Sequence, residues 1–339
     1  MIDKNKLKIK SRIRLARNIS DYNFPHKLDT ETARELVKNV EDAFFVSRPL
    51  AEDFTTKHLW QEKGIDYLSW FEKHLVSEKL IDNADIGAFI CNKTEDVSIM
   101  INEEDHLRLQ TMSATKSLAE LFDVADKLDS LLEERLAWAF DNNLGYLTAC
   151  PTNLGTALRA SVMVHLPALT FKDKIGLIAQ KLAQMGMTIR GIYGEGSQAL
   201  GNIYQISNEV TLGISENFII KNIQETIDGI LTMEAAEQAR LFDLTGDIVR
   251  DKIYRSMGLL SNARIMSSDE ALKLLSTVRL GVEAGVIEEL DTAGIDRMII
   301  MVQPGNLHRD LGLTELMAEP DRDLLRATVL RNEMKRRLS

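Results

Sequence analysis

The chain has 339 residues, of which 45% are hydrophobic and 27% are charged, a composition typical of a folded globular protein rather than a disordered one. With 51 acidic and 41 basic residues it carries a formal net charge of −10, so its surface as a whole does not favour nucleic acid or anionic lipid. Two cysteines are too few for a disulfide framework, and the sequence shows neither a signal peptide nor a membrane span. We therefore expect a soluble, cytoplasmic protein of about two domains.

The first part of the chain, from residue 8 to about 212, consists of short alternating apolar segments separated by Gly, Asn and Pro. This spacing predicts strands, and a hairpin turn at residues 92–96 favours a mainly antiparallel sheet. Helical patterns that flank the strands cover residues 30–48, 115–142 and 172–185.

After residue 215 the pattern is almost wholly helical. Ser267 and Glu270 have the spacing of a capping box, and a last helix ends in the basic residues 335–337, which suit its C-terminal dipole. The sequence thus predicts an α+β fold, with a mixed domain over residues 8–240 and a helical domain over residues 241–339.

Arginines recur on the predicted strands, and no P-loop is present. Arg12 and Arg14 are two residues apart and so point to one face, and Arg108, Arg159 and Arg190 stand on similar apolar segments. One such arginine is usually a solvated residue of a strand face. Five guanidinium groups that converge would repel one another unless a polyanion lay between them, and the planar guanidinium binds two phosphate oxygens at once. An arginine cage for a nucleotide triphosphate is therefore the alternative to a solvated face.

Carboxylates and a thiol accompany these arginines. Glu104, His106 and Arg108 would share one face of a strand, although an acidic edge strand explains the same pattern. Glu195 lies in a glycine-rich loop that suits a nearby ligand. Cys150 ends an apolar strand before a turn; it is either a buried, inert cysteine or a thiol whose pKa is lowered by arginines and main-chain amides.

The segments SRIRLAR, NEEDHLR, CPTNLGT, RASV and RGIYGE, in this order and spacing, resemble the catalytic domain of the phosphagen (guanidino) kinases over residues 8–237. The resemblance implies a sheet flanked by helices, with arginines around the nucleotide phosphates and with Glu104, Glu195 and Cys150 around a guanidinium substrate. The ATP-binding residues that it implies are Ser11, Arg12, Ile13, Arg14, His74, Arg108, Arg159, Ala160, Ser161, Val162, Met163, Arg190, Gly191, Ile192, Tyr193, Gly194 and Glu195.

The sequence also departs from the phosphagen kinases. The first arginine strand begins near residue 9 without the helical domain that precedes it in that family, so we expect an open guanidine site. Lys10 stands where a small hydroxyl residue is expected, and Met163 stands where the family has a histidine, with His165 two residues later.

The early start and the C-terminal helical domain resemble the bacterial protein-arginine kinases. The segment RDLLRA resembles that subfamily's RDxxRA phosphoarginine-binding motif, which implies a site formed by Arg322, Asp323, Arg326 and Ala327.

The resemblance implies a cytoplasmic kinase that transfers the γ-phosphoryl group of ATP, with Mg²⁺, to arginine side chains of proteins, and no metal site on the protein itself. It further implies a stress-response role that marks proteins for Clp-type proteolysis, a zinc-binding activator protein, a homo-oligomer and allosteric control by phosphoarginine. Two alternatives stay open, namely a kinase for a free small guanidino compound and a non-catalytic adaptor that binds phosphoarginine.

Overall fold

A computed structural model of the chain describes residues 2–62, 64–192, 199–309, 311–313 and 315–338. Its strands are β1 (Lys8–Arg17), β2 (Phe54–His58), β3 (Ala88–Asn92), β4 (Val97–Ile101), β5 (Leu107–Ser113), β6 (Phe140–Asp141), β7 (Gly145–Tyr146), β8 (Leu158–His165), β9 (Met187–Gly191) and β10 (Ile203–Asn208). Among the described residues, eight strands form one sheet in the order β2-β3-β4-β5-β1-β8-β10-β9, and β6 pairs with β7 separately. The pairs β1–β5, β2–β3, β3–β4 and β4–β5 are antiparallel, so the predicted α+β fold with a mainly antiparallel sheet is confirmed.

Strand β1 shows the alternation that the sequence predicted. Ile13 and Leu15 are 0% and 1% exposed, while Arg12 and Arg14 point to the other face. In the register with β5, Ala16 lies opposite Arg108, so Arg108 shares the face of Arg12 and Arg14. Antiparallel pairing therefore brings arginines that are far apart in sequence to one surface.

The helices are α1 (Thr30–Phe44), α2 (Arg48–Asp53), α3 (Gly64–Glu72), α4 (Glu78–Asp82), α5 (Leu118–Glu133), α6 (Pro167–Phe171), α7 (Ile175–Gln184), α8 (Glu216–Asn262), α9 (Ser268–Glu283), α10 (Thr292–Met301), α11 (Pro304–Arg309) and α12 (Glu319–Leu338). Ser267 accepts a hydrogen bond from the Glu270 amide at 3.2 Å, as the capping pattern predicted. The helix predicted over residues 30–48 ends at Phe44, and a second helix, which has Pro49 in its first turn, begins at Arg48.

The described chain divides into two compact units. The first, here called the strand unit, comprises Lys10–Ser161 and Ser207–Gln224. The second, here called the helical unit, comprises Met1–Ile9, Val162–Ile206 and Glu225–Ser339.

Each unit has a cluster of buried apolar side chains. In the strand unit this cluster includes Trp70, Leu75 and Phe89, and in the helical unit it includes Leu275 and Leu330.

Helix α8 runs without interruption through residue 241, where the sequence predicted a domain boundary. Thr245 alone departs from helical backbone angles, with φ −138° and ψ 30°. The division into domains at residues 240 and 241 stays a prediction.

Among the described residues, no helix combines the length and apolar character that a membrane span requires.

Candidate active site

Four arginines of the strand unit lie together on one face of the sheet. A cavity of about 160 Å³ is lined by Arg14, Arg108 and Arg159, and Arg12 lies close enough to Arg108 and Arg159 to be affected by their charges. The Nε group of Arg12 donates to Ser161 Oγ at 3.4 Å. We call Arg12, Arg14, Arg108 and Arg159 the arginine cluster.

The arginine cluster is electrostatically unfavourable in the absence of an anion. Burial and the neighbouring charges of Arg108 and Arg159 lower the pKa of Arg12 to about 9. Burial and the charges of Arg12, Arg108 and Arg159 also lower the pKa of Arg14 well below its ordinary value, and the buried Arg14 Nε has no hydrogen-bond partner in the part of the chain that the structure describes. Because arginines stay protonated in proteins, these lowered pKa values indicate a strongly positive potential that a polyanion would relieve.

Lys10 and His74 lie next to Arg12 of the arginine cluster. Burial and the charge of Arg12 lower the pKa of Lys10 to about 8. Burial, then Arg12 and Lys10, lower the pKa of His74 to about 3, so its imidazole is neutral near pH 7. His74 has a positive φ of 64°, and its carbonyl accepts a hydrogen bond from Gln110 Nε2 at 2.7 Å. A neutral imidazole is therefore held beside the cations by a buried amide.

Glu103 orients Arg108, a role that the sequence analysis missed. It is 3% exposed, and its Oε1 accepts hydrogen bonds from Arg108 Nη1 and, at 2.5 Å, from Ser77 Oγ. Its Oε2 accepts from the Glu104 amide at 2.9 Å. Burial opposes ionisation, but the charge of Arg108 and these hydrogen bonds lower the pKa of Glu103 below its ordinary value. The only signal in the sequence was the pair of adjacent glutamates.

The predicted common face of Glu104, His106 and Arg108 is wrong. Residues 102–106 form a bend, and β5 starts only at Leu107. His106 is fully buried, where its ring nitrogens bond the Ile19 amide at 3.0 Å and the Asn23 carbonyl at 2.7 Å. Glu104 is exposed and lines the cavity together with the arginines. The carboxylate therefore reaches the site from a loop.

Cys150 lines the same cavity, together with Thr152 and Asn153. Its Sγ lies 3.0 Å from Thr152 Oγ1. The apolar strand predicted to end at Cys150 is wrong, because only β7 forms there and a 3₁₀ turn, Pro151–Asn153, follows the cysteine.

Asp105 fixes this loop next to Glu104. Its carboxylate is 2% exposed and accepts hydrogen bonds from the Ala149 amide at 2.7 Å and from Asn18 Nδ2 at 2.6 Å. The residue after Glu104 is thus bonded to the residue before Cys150, so the two candidate catalytic groups share one framework.

The remaining residues predicted to bind ATP fall into three groups. In the strand unit, Ser11, Ile13, Ala160 and Ser161 are buried within the sheet, where Ser161 Oγ accepts a hydrogen bond from Arg12. Val162, Met163, Arg190, Gly191 and Ile192 belong to the helical unit, where Arg190 is exposed on β9. Tyr193, Gly194 and Glu195 lie outside the described residues.

The predicted phosphoarginine motif lies at the start of α12. Arg326 is 2% exposed; its Nε donates to the Val302 carbonyl at 2.9 Å and its Nη1 donates to the Met266 carbonyl at 2.9 Å and to Asp323 Oδ1 at 2.5 Å. Arg322 is partly exposed, and its Nε has no hydrogen-bond partner within the described ranges. In this structure Arg326 braces the helical unit, and Arg322 is the arginine of the pair with an unused donor. Ala327 is buried.

His165, which stands two residues beyond the position expected for the family's histidine, belongs to a buried polar network of the helical unit. Its Nδ1 lies 2.8 Å from Glu283 Oε1, and Arg279 pairs with the same oxygen and, at 2.8 Å, with Asp296. Burial opposes the charge of Arg279, but Glu283 and Asp296 raise its pKa.

Within the residues that are described, no group of three or more His, Cys, Asp or Glu side chains could hold a metal ion.

Comparison with known proteins is consistent with this geometry. Residues 35–237 match the family model of the ATP:guanido phosphotransferase C-terminal catalytic domain, and residues 246–338 match that of the protein-arginine kinase McsB C-terminal domain. The chain is 47% identical over 328 residues to a protein-arginine kinase of Clostridium kluyveri, with 97% of this chain and 94% of the relative covered. It is 41% identical over 329 residues to a protein-arginine kinase of Geobacillus stearothermophilus, with 96% and 90% covered.

Solved structures of related kinases have the same fold. A crystal structure of lombricine kinase matches with a TM-score of 0.61 and 27% identity over 71% of this chain and 70% of that chain. The duplicated taurocyamine kinase of Schistosoma mansoni, with bound transition-state analogue components, matches with a TM-score of 0.62 and 24% identity over 80% of this chain and 40% of that chain.

Proposed function

Because the chain belongs to the ATP:guanido phosphotransferase family, we propose that its arginine-lined cavity transfers the γ-phosphoryl group of ATP to arginine side chains of proteins. The family resemblance predicted from the sequence is confirmed by these matches. The observation that supports the proposal best is that one cavity is lined both by three arginines and by Glu104 and Cys150. Such a cavity offers cations to a triphosphate and anionic groups to a guanidinium.

The arginine cluster would hold the phosphates of ATP. Phosphoryl transfer requires no covalent bond to the protein. Catalysis therefore depends on aligning the nucleotide with the acceptor and on neutralising the charge of the transferred group. Arg108, fixed by Glu103, and Arg14, whose Nε lacks a partner among the described atoms, present donors to that group. Mg²⁺ would enter as part of the nucleotide substrate and would supply positive charge that neutralises the phosphates.

Glu104 would align the acceptor guanidinium and take its proton. The ordinary pKa of a guanidinium lies about 8 pH units above that of a carboxyl group, and this difference opposes complete deprotonation before transfer by roughly 11 kcal/mol. The proton would therefore leave as the P–N bond forms, and Glu104, which is exposed and lines the cavity, would accept it. Glu195 remains a proposed second carboxylate. A thiolate at Cys150 would add negative charge that orients the guanidinium, without forming a bond to it.

The same family supports further proposals about the biological role. We place the kinase in the cytoplasm, as a homo-oligomer that acts on proteins with accessible arginines and marks them for Clp-type proteolysis under stress, assisted by a zinc-binding activator. Phosphoarginine would bind at Arg322 and Asp323 and act allosterically, with Arg326 and Ala327 supporting that site from within the helical unit.

One experiment separates this proposal from its alternatives. The protein is incubated with Mg²⁺ and γ-labelled ATP, together with either a denatured protein or free arginine. We expect acid-labile label on the protein, because a P–N bond is cleaved in acid. Label on free arginine alone would support a small-molecule guanidino kinase, and absence of label on both acceptors would support a phosphoarginine-binding adaptor.

A further inference from the structure

Four exposed apolar side chains lie on two neighbouring segments of the strand unit. Phe140 and Leu144, in the β6–β7 hairpin, are 56% and 43% exposed. Val210 and Leu212, just after β10, are 47% and 48% exposed. We call these four residues the apolar rim.

Main-chain contacts join the two segments through Gly155. A Cβ atom at Gly145 would lie 2.4 Å from the Gly155 carbonyl oxygen, and a Cβ atom at Gly155 would lie 2.7 Å from Leu212 Cα. The Tyr146 amide donates to the Gly155 carbonyl at 2.9 Å. Only glycines permit this approach, so the main chains of the hairpin and of the segment around Leu212 both pack closely against Gly155.

The same surface is bonded to the wall of the candidate active site. Thr211, which is 5% exposed, donates through Oγ1 to the carbonyls of Thr152 at 3.0 Å and Leu154 at 2.7 Å. Thr152 lines the cavity beside Cys150. Val210 and Leu212 therefore flank a residue that is directly bonded to the guanidine end of the site.

A polypeptide whose arginine enters the cavity must pass over the residues around it. An extended chain spans at most about 3.6 Å per residue, so two or three residues on either side of the arginine cover roughly 7–11 Å. Scattered exposed apolar residues are ordinary on protein surfaces, but these four lie on two segments that pack against each other through Gly155, and one segment is bonded to the wall of a site whose proposed substrate is a polypeptide.

We propose that the apolar rim binds aliphatic or aromatic residues located within three positions of the target arginine in an unfolded polypeptide substrate. This inference rests on the proposed function and adds the sequence class of the preferred acceptor. Such segments are buried in folded proteins, so the rim would favour chains that have lost their native structure.

The test compares two matched peptides that contain one arginine. One peptide has leucines two residues before and after the arginine, and the other has serines at those positions. Free arginine serves as the acceptor that cannot reach the rim. The rim variants are Leu212→Ser and Leu144→Ser, one on each segment. The control variant is Leu177→Ser, which alters a 55% exposed leucine on α7 of the helical unit.

For the wild type, we expect a kcat/KM for the leucine peptide about tenfold above that for the serine peptide, because a factor of ten corresponds to about 1.4 kcal/mol, the size of one buried aliphatic contact. Each rim variant should lose most of this preference and keep its ATP affinity and melting temperature, while Leu177→Ser keeps the preference.

Equal kcat/KM values for the two peptides in the wild type would overturn the proposal that the apolar rim binds flanking residues, but would leave the proposed function intact. The same proposal would be overturned if a rim variant lost activity equally on both peptides. It would also be overturned if Leu177→Ser lost the preference for the leucine peptide. Transfer to free arginine with none to either peptide or to denatured protein would instead overturn the proposed function.

Discussion

Replacing Arg12 with methionine should make the nucleotide-free protein more stable and its binding of ATP weaker. Arg12 lies among cations, and burial together with Arg108 and Arg159 lowers its pKa to about 9. Methionine preserves much of the side-chain length but removes the charge. The folded state then loses a repulsion that only a bound anion would otherwise relieve.

The size of the effect follows from the pKa of Arg12. The fall from its ordinary value to about 9, at about 1.36 kcal/mol per pH unit, sets an upper limit of roughly 5 kcal/mol for the cost of burying the charge and of the repulsion together, and burial is the larger part. Water and counter-ions that enter the open cavity reduce this value, and loss of the hydrogen bond to Ser161 opposes it by about 1 kcal/mol. We expect a net gain of about 1–2 kcal/mol, or roughly 1–3 °C in melting temperature for a chain of this length.

Thermal unfolding with and without Mg²⁺-ATP measures both consequences. The wild type should gain stability from ATP, whereas Arg12→Met should start from a higher melting temperature and gain little. Arg250→Met, which removes an exposed arginine far from the arginine cluster in sequence, serves as the charge-matched control and should keep the response to ATP. A lower nucleotide-free melting temperature in Arg12→Met, combined with a wild-type response to ATP, would refute the electrostatic reasoning.

Four further outcomes are expected. Glu104→Gln should reduce transfer by a factor on the order of 10²–10⁴ while ATP affinity stays within a few-fold, as kinetics and nucleotide titration would show. Arg159→Ala should weaken ATP binding by about 2–5 kcal/mol and Arg159→Lys by less, because an ammonium cannot reproduce the guanidinium fork; equal affinities in calorimetry would contradict this. The pKa of His74 is lowered to about 3 in the folded protein, so below pH 6.5 the unfolded chain binds a proton at this histidine that the folded protein does not bind. The free energy of unfolding therefore decreases as the pH falls from 7 to 4. Urea unfolding should show a smaller decrease for His74→Asn than for the wild type. Arg322→Ala should lose phosphoarginine binding and keep its melting temperature, whereas Arg326→Ala should unfold at a markedly lower temperature because it leaves buried carbonyls without donors.

The sequence predicted the parts of the site that depend on strand periodicity. Arg12 and Arg14 share a face because successive side chains on a strand alternate, and this alternation is visible in the letters of SRIRLAR. The positions of Glu104 and His106 could not be predicted in this way, because they depend on a bend at residues 102–106. Within this bend Asn102 adopts a positive φ of 61°, and the alternation of apolar and polar residues in the sequence does not predict this backbone angle.

The supporting contacts were also beyond the reach of the sequence. Glu103 orients Arg108 from five residues away, across the bend, and Gln110 supports His74 from a strand 36 residues later. Partners of this kind are set by tertiary packing, so no local pattern marks them. His165 is the clearest case, because its buried partner Glu283 is 118 residues distant.

The buried pair of Arg279 and Glu283 constrains how this protein can change over evolutionary time. Both residues are almost fully buried, and loss of either one would leave an uncompensated charge in the interior at a cost of about 3–5 kcal/mol. An apolar replacement of both together would still remove a partner from Asp296 and from His165, so the cost extends to the whole network. These four positions are therefore expected to change together, while exposed arginines such as Arg250 can change independently.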